Sequence, residues 1–450
     1  MRGTVAIVLA STALSASAFT SYANDFIDPK IILSNGLSNL TIEAQETIVE
    51  WAEDLAAAGP WNVTSKPFTP PSGTKKDYMS FAPYWWPDCS SVGNTTALTQ
   101  NEVWTTCPYV VRDGKFNPDA REVNDIGNFE SMANAVFYNA LAWATNGTTT
   151  YAESAARFIN TWFLDADTGM NPNLNYSQMQ RGPTGQKGTH TGILDLKCMA
   201  KVVSAVLLMR EGKAAAWTTE LDTGLNSWTT EYIGWLTSAG IALEEKAAPN
   251  NHGTFYYNQL AALQVLVGDN DGAKATVTDY FTTKYLDQIA ANGDQPLETA
   301  RTRPYHYRAY NLAAMITNAK IGDYVGYSAW NLTTHKGSTI QTALDYAMTL
   351  GPGTEVASEL YPNIVAVGAT YGDAKGTYAN FMLTKAGDGY VADAQFLWNQ
   401  PFSDSGLVKA PTSASLEPVR NIGGAGGVRP GLLGATVAGF GVVAVLVLGA

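Results

Sequence analysis

Asn250, Asn251, His252 and Gly253 stand together, and some fifty residues later comes Glu298-Thr-Ala-Arg301-Thr-Arg303-Pro-Tyr305-His306-Tyr307-Arg308. The two stretches gather two of the chain's four histidines with three arginines, two tyrosines and two side-chain amides. Amides, imidazoles and guanidiniums bind and neutralise a carboxylate. A phenol beside a guanidinium can carry a proton, because nearby positive charge favours phenolate. Together these groups supply what a β-elimination on a uronic acid polymer needs: neutralisation of the carboxylate at C5, removal of the C5 proton, and protonation of the leaving oxygen.

Asn251, His252 and Arg301 are the candidate neutralisers, and Tyr307 is the candidate base and acid. Asn250, Arg303 and His306 are candidate substrate contacts. Asn250 also fits an ordinary helix N-cap, and Glu298 is expected to orient Arg301. Pro304 suits the first turn of a helix, placing the arginines on its approach, where a helix N-terminus favours anions. Two further segments offer walls for a sugar chain. One is the aromatic run from Lys75 and Lys76 through Tyr78 to Tyr84-Trp85-Trp86-Pro87, from which Lys76, Tyr84 and Trp85 are candidate contacts. The other is the polar loop 171–182 with Gln178 and Arg181, followed by His190. The histidines lack HxH or HxxxH spacing, so no metal or other cofactor is expected. Two alternatives stay open. Asp125 and Glu298 can be assigned as the acid pair of an inverting glycoside hydrolase, and the same equipment also serves a non-catalytic carbohydrate-binding surface protein.

The elements that must position these groups are mostly helices. Phe129, Met132, Val136, Phe137 and Leu141 share one helical face, as do Tyr151, Ala155, Phe158, Ile159 and Trp162. Further helices are predicted over 194–209, 215–236, 251–267, 305–319, 338–350 and 373–383, with Gly, Asn, Asp or Pro in the breaks. Helix pairs recurring at roughly fifty-residue intervals suit an α/α toroid, an incomplete α/α barrel, and a plain helical bundle gives the same period. Residues 24–385 are assigned to this domain, with an aromatic N-terminal loop region.

Hydrophobic residues make up 46% of the 450-residue chain and charged ones 15%, which describes a globular protein. Its net charge of -12 argues against nucleic acid and requires that an acidic partner meet a local basic cleft. Residues 1–23 have a basic start, an apolar run and a small-x-small end, the pattern of a secretory signal peptide. Asn39, Asn62, Asn94, Asn146, Asn175 and Asn331 stand in glycosylation sequons. Residues 386–430 read as a linker or stalk, and the uncharged tail 431–450 as a GPI signal or a single membrane anchor. The protein is therefore expected at the cell surface, in contact with membrane only through this anchor, and monomeric. A Cys89–Cys107 disulfide is expected, with Cys198 a buried thiol.

Lys76-Asp77-Tyr78 with Tyr84-Trp85-Trp86-Pro87, Tyr151 through Trp162-Phe163 to Asn171-Pro172, Asn251-His252, and Arg301 with Tyr307 together resemble the alginate lyase superfamily, polysaccharide lyase family 5 and its relatives. The resemblance covers roughly 70–385. It implies an α/α toroid that cleaves a polyuronate, alginate, mannuronan or a glucuronan-like polymer, by β-elimination. It also implies that Asn251, His252 and Arg301 neutralise the carboxylate and that Tyr307 is base and acid. Arg301 stands one residue nearer Tyr307 than that pattern leads one to expect, which keeps Arg303 as its rival.

Overall fold

In the computed structural model of the protein, residues 25–34, 37–93 and 97–399 are described. The expected signal peptide, Asn94, the tail 431–450 and the stretch 400–430 lie outside them. The described helices in the first half are α1 Pro29–Leu33, α2 Ile42–Ala58, α3 Gln100–Thr106, α4 Asp125–Asn146, α5 Thr149–Ile159, α6 Met199–Glu211, α7 Thr219–Leu236 and α8 Gly240–Ala247. They continue with α9 Asn251–Leu266, α10 Asn270–Thr282, α11 Pro296–Thr299, α12 Pro304–Tyr324, α13 Ile340–Met348, α14 Tyr361–Tyr371 and α15 Thr377–Ala386.

Helices α4, α6, α9, α12 and α14 each pack on the next, and α2, α5, α7, α10, α13 and α15 lie against them. This succession is an α/α toroid. The reason is legible in burial: α6, α9 and α12 are buried on nearly every side, so they must be enclosed by other helices rather than present one apolar stripe. Phe129, Val136, Phe137 and Leu141 of α4 are all fully buried in the same core. Truncating a leucine in such a setting costs about 2–5 kcal/mol. The ring closes where α14 and α2 both meet the turn Ala394–Phe396. Of residues 386–399, expected as linker, Tyr390 and the stretch 394–399 are buried in the core, Phe396 and Leu397 fully so.

Four short strands form a roof over one end of the ring. Strand β1 Met79–Phe81 pairs in parallel with β4 Tyr176–Met179, and β2 Trp85–Pro87 pairs antiparallel with β3 Tyr109–Val111. Two buried carboxylates fasten β1 to the helices. Asp125, at the start of α4, accepts the Met79 N–H at 2.9 Å and pairs with Lys66 at 2.9 Å, both side chains fully buried. Asp195 accepts from Ser80, Tyr78 and Gln178. The Cys89–Cys107 disulfide ties the hairpin to the end of α3, and Cys198 is a buried thiol, both as expected. Among the described residues no helix is long and apolar enough to cross a membrane. Asn39, Asn146, Asn175 and Asn331 are exposed, and Asn62 is half-buried.

Candidate active site

Helix α9 begins after Pro249, and its first N–H groups need acceptors. Asn250 occupies the N-cap position, but its side chain makes no capping bond, which corrects its reading as an N-cap. The acceptor comes from another element. Glu298, in α11, takes the Asn251 backbone N–H on Oε1 at 2.8 Å and the Asn251 side chain on Oε2 at 2.7 Å. Glu298 therefore positions Asn251, not Arg301 as the sequence suggests. Burial pushes its carboxyl upward, opposed by those two bonds and by the charges of His252 and Arg301.

His252 follows Asn251 on the first turn of α9. Its Nδ1 lies 2.6 Å from Oε1 of Glu245, and Nδ1 of His190 lies 2.6 Å from the other oxygen of the same carboxylate. Glu245 is fully buried and the two rings are 5.8 Å apart. Burial would raise the Glu245 carboxyl, yet the charges and hydrogen bonds of the two histidines hold it below its ordinary range. In return, the bond to Glu245 raises the His190 imidazole. One carboxylate thus fixes which nitrogen of each ring faces inward and favours the charged form of His190. Glu245 was missed in the sequence, because nothing about its seven-residue lead over His252 marks it, and His190 is remote in the chain.

Arg301 and Tyr307 meet across the turn into α12. The Arg301 Nη2 donates to the Tyr307 hydroxyl at 3.0 Å, and its guanidinium lies 4.0 Å from the ring centroid. Arg303 stands 5.6 Å from the same ring and hydrogen-bonds Tyr307 as well. From the roof, Tyr84 hydrogen-bonds Tyr307. Burial raises the Tyr307 phenol well above its ordinary value, Tyr84 adds to this, and the two arginines oppose it. The expectation that positive charge would dominate here is thereby corrected: desolvation wins in this closed arrangement. Arg301 also reaches Asp113, at 3.6 Å, on the loop after the hairpin. Gly114, at φ +71°, lets that loop approach Thr302, since a Cβ there would lie 2.7 Å from its hydroxyl. His306 is buried behind Tyr307, with Nδ1 2.7 Å from Glu359 and its ring stacked on Tyr310.

The cluster is nearly sealed: Asn251 and Tyr307 are 0% exposed, while the side chains of His190 and Arg301 retain 33% and 21%. Several predicted contacts fall elsewhere. Gln178, at φ 40°, is buried, with its amide bonded to Asp195 and Thr191 and its backbone to Ser80 and Thr189. Arg181 is buried over Phe81, Tyr109 and Trp104 and pairs with Asp119 at 2.9 Å. Both were expected to touch substrate, and both instead hold the roof together. Lys76 gives its ammonium to the Ala166 carbonyl, and Trp85 packs in the small roof core. Asp125, one of the hydrolase pair considered above, is occupied by Lys66 beneath the roof.

His190, Glu245 and His252 are also the group, among the described residues, whose ligand-type atoms lie within 4.8 Å of one another. Their two N···O separations of 2.6 Å are hydrogen-bond lengths. Ligands sharing a tetrahedral zinc at bonds of ~2.0–2.1 Å stand roughly 3.3 Å apart. The spacing between each Nδ1 and the Glu245 carboxylate is that of a shared proton.

An α/α toroid carrying amide, imidazole, guanidinium and phenol at one end is the build of a polysaccharide lyase. The chain belongs to the alginate lyase family, whose sequence model matches residues 62–354, more than half of its length. It is similar in structure to an alginate lyase from Bacteroides ovatus, with 28% sequence identity and a TM-score of 0.67, covering 87% of this chain and 100% of that one. Alginate lyase A1-III in complex with a tetrasaccharide matches at 12% identity and a TM-score of 0.45, over 77% of this chain and 91% of that one. Alginate lyase A1-III from Sphingomonas species A1 matches at 14% identity and a TM-score of 0.40, over 72% and 80%. No curated protein sequence matches the chain.

Proposed function

We propose that this protein cleaves alginate or a related polyuronate by β-elimination, with Tyr307 moving the proton and Asn251, His252 and Arg301 neutralising the carboxylate. The observation that carries this reading is the Arg301–Tyr307 bond of 3.0 Å beside an amide and imidazole whose orientations are fixed by buried carboxylates. In the reaction, Tyr307 as phenolate takes the proton from C5, the C4–O4 bond breaks as the C4–C5 double bond forms, and the same proton passes to O4. The phenolate is regenerated, so the step balances without a co-reactant. Arg301 and Arg303 stabilise the phenolate, and Glu245 favours positive charge on His190 and orients His252 where the substrate's negative charge develops.

Family membership and the similarity to the Bacteroides ovatus enzyme support alginate as the first substrate to try. Incubation with alginate, mannuronan and glucuronan is expected to yield the ultraviolet absorbance of a C4–C5 double bond. Reducing ends without that absorbance would mark hydrolysis, and binding without product would mark a lectin-like role; either result overturns the reading. Because burial raises the Tyr307 phenol, its phenolate fraction grows about tenfold per pH unit below its pKa. kcat/KM is therefore expected to rise with pH on the alkaline side. Export by the N-terminal segment, glycosylation and a C-terminal anchor belong to the same proposal, and would place the enzyme on the outer surface of the cell.

A further inference from the structure

The Glu298–Asn251 contact has a polar atom left over. Glu298 is 1% exposed and Asn251 is 0% exposed. With the amide nitrogen facing Glu298, the Asn251 Oδ1 is buried without a partner. Oxygen and nitrogen of a side-chain amide are assigned from their bonds, so the opposite orientation is open to this residue. It would set Oδ1 against Glu298 Oε2 at the same 2.7 Å separation. That is repulsive if Glu298 is ionised and a good hydrogen bond if Glu298 carries a proton on Oε2.

Three observations bear on the proton. Glu298 has no Lys, Arg or His within ion-pair distance among the described residues, and its bonds come from Asn251 alone. His252 and Arg301 face it through space only, and burial outweighs them. The field at the start of α9 favours an anion, but it is modest and confined to the first turn. A buried carboxylate without an ion pair, beside a place that must receive another carboxylate, is the costlier state.

We propose that Glu298 is a positioning residue held in the protonated form at neutral pH, donating Oε2–H to Asn251 Oδ1. The Asn251 NH2 group is then turned away from Glu298, with both hydrogens available to the substrate carboxylate. Oε1 of Glu298 still accepts the Asn251 backbone N–H. This deepens the lyase reading and rests on it for its functional consequence.

Glutamine reproduces the protonated acid, since its Oε1 accepts the backbone N–H and its Nε2 donates to Asn251 Oδ1. Glu298→Gln is therefore expected to keep turnover within about tenfold of the parent, whereas Glu298→Ala and Glu298→Asp lose roughly 10²-fold or more. If Glu298 is ionised instead, Glu298→Gln forces the amide into the wrong orientation and falls as far as Glu298→Ala, with unchanged melting temperature and circular dichroism. Infrared spectroscopy of the free protein at neutral pH gives a second measurement independent of substrate. The parent-minus-Glu298→Gln difference should show a protonated-carboxyl stretch, the subtraction removing Asp125 and Asp195, whose carboxyls burial also raises. Absence of that band overturns the assignment even if the protein proves to be a lyase. Failure to form unsaturated product from any uronate overturns the lyase reading and leaves the infrared result to decide Glu298.

Discussion

The two halves of the site are held by different physics. On the ring side, Asn251 and His252 sit at the start of a buried helix, and each is fixed by a buried carboxylate from another element, Glu298 or Glu245. On the roof side, Tyr84 rides on a short hairpin secured by a disulfide and by Arg181 stacked among three aromatic rings. The ring side gives orientation through hydrogen bonds to buried carboxyl groups, whose loss leaves a buried polar group unpaired, which is expensive. The roof side gives cover through contacts that can be remade at smaller cost. Chemistry should therefore be brittle on the ring side and tolerant on the roof side.

Tyr307→Phe tests the junction between them and should have the largest effect, a loss of about 10³-fold or more in kcat, with a tetrasaccharide still bound in a calorimeter. Retained turnover would move the proton elsewhere.

Glu245→Gln should follow, costing roughly 10²-fold in kcat/KM, because both imidazoles lose their anchor at once. Its pH signature has a definite sign. His190 is raised in the folded state, so its contribution to stability is complete below its ordinary value and fades as pH climbs through the raised one. Glu245 is lowered, so its contribution is complete above the ordinary carboxylate range and fades as pH falls through the lowered value. The gap in melting temperature between parent and Glu245→Gln should be widest near about pH 5–6.5 and narrow as pH rises. A gap that does not vary with pH would mean that the carboxylate is only packing.

Arg301→Lys and Arg303→Lys separate the two guanidiniums. Arg301 bonds the Tyr307 hydroxyl at 3.0 Å and covers its ring. Its replacement should cost about 30-fold in kcat and that of Arg303 only about threefold, since lysine cannot reproduce a planar stacked donor. The reverse order would make Arg303 the principal partner.

The smallest effect on turnover is expected from Cys89→Ser combined with Cys107→Ser. A few-fold rise in KM should accompany a stability loss of about 2–4 kcal/mol, read by denaturant unfolding. A collapse of kcat would instead place the hairpin in the chemistry on equal terms with the ring.

Much of this was visible in the chain before any fold was known. The helical spacing around Phe129 to Leu141 and the Pro304 start of α12 place real helices, because one-sided burial and a fixed proline φ act locally. Prediction was weaker at 194–198, where the helical run opens instead as the 3-10 turn His190–Leu196 before α6. It missed α14, whose unbroken buried run 363–368 blurs any single apolar stripe, and also α10, although Ala273, Val277, Tyr280 and Phe281 there share one buried face. At the site, the sequence pairs Arg301 with Tyr307 and the structure brings them into contact, because only six residues and one turn separate them. Gln178 and Arg181 were misplaced because a polar loop gives no sign of which side chains turn inward.

The sequence by itself determined the inventory: one cluster of amide, imidazole, guanidinium and phenol, an acidic chain, a helical body and the cysteines of the roof. These depend on residue type and local spacing. Only the tertiary structure decided the partnerships: Glu245 between two histidines, Glu298 on Asn251, Tyr84 against Tyr307. Each joins residues from different elements, and burial gives those contacts their strength. The same burial lifts the Tyr307 phenol and the Glu298 carboxyl, a competition between desolvation and nearby charge that the order of residues does not contain.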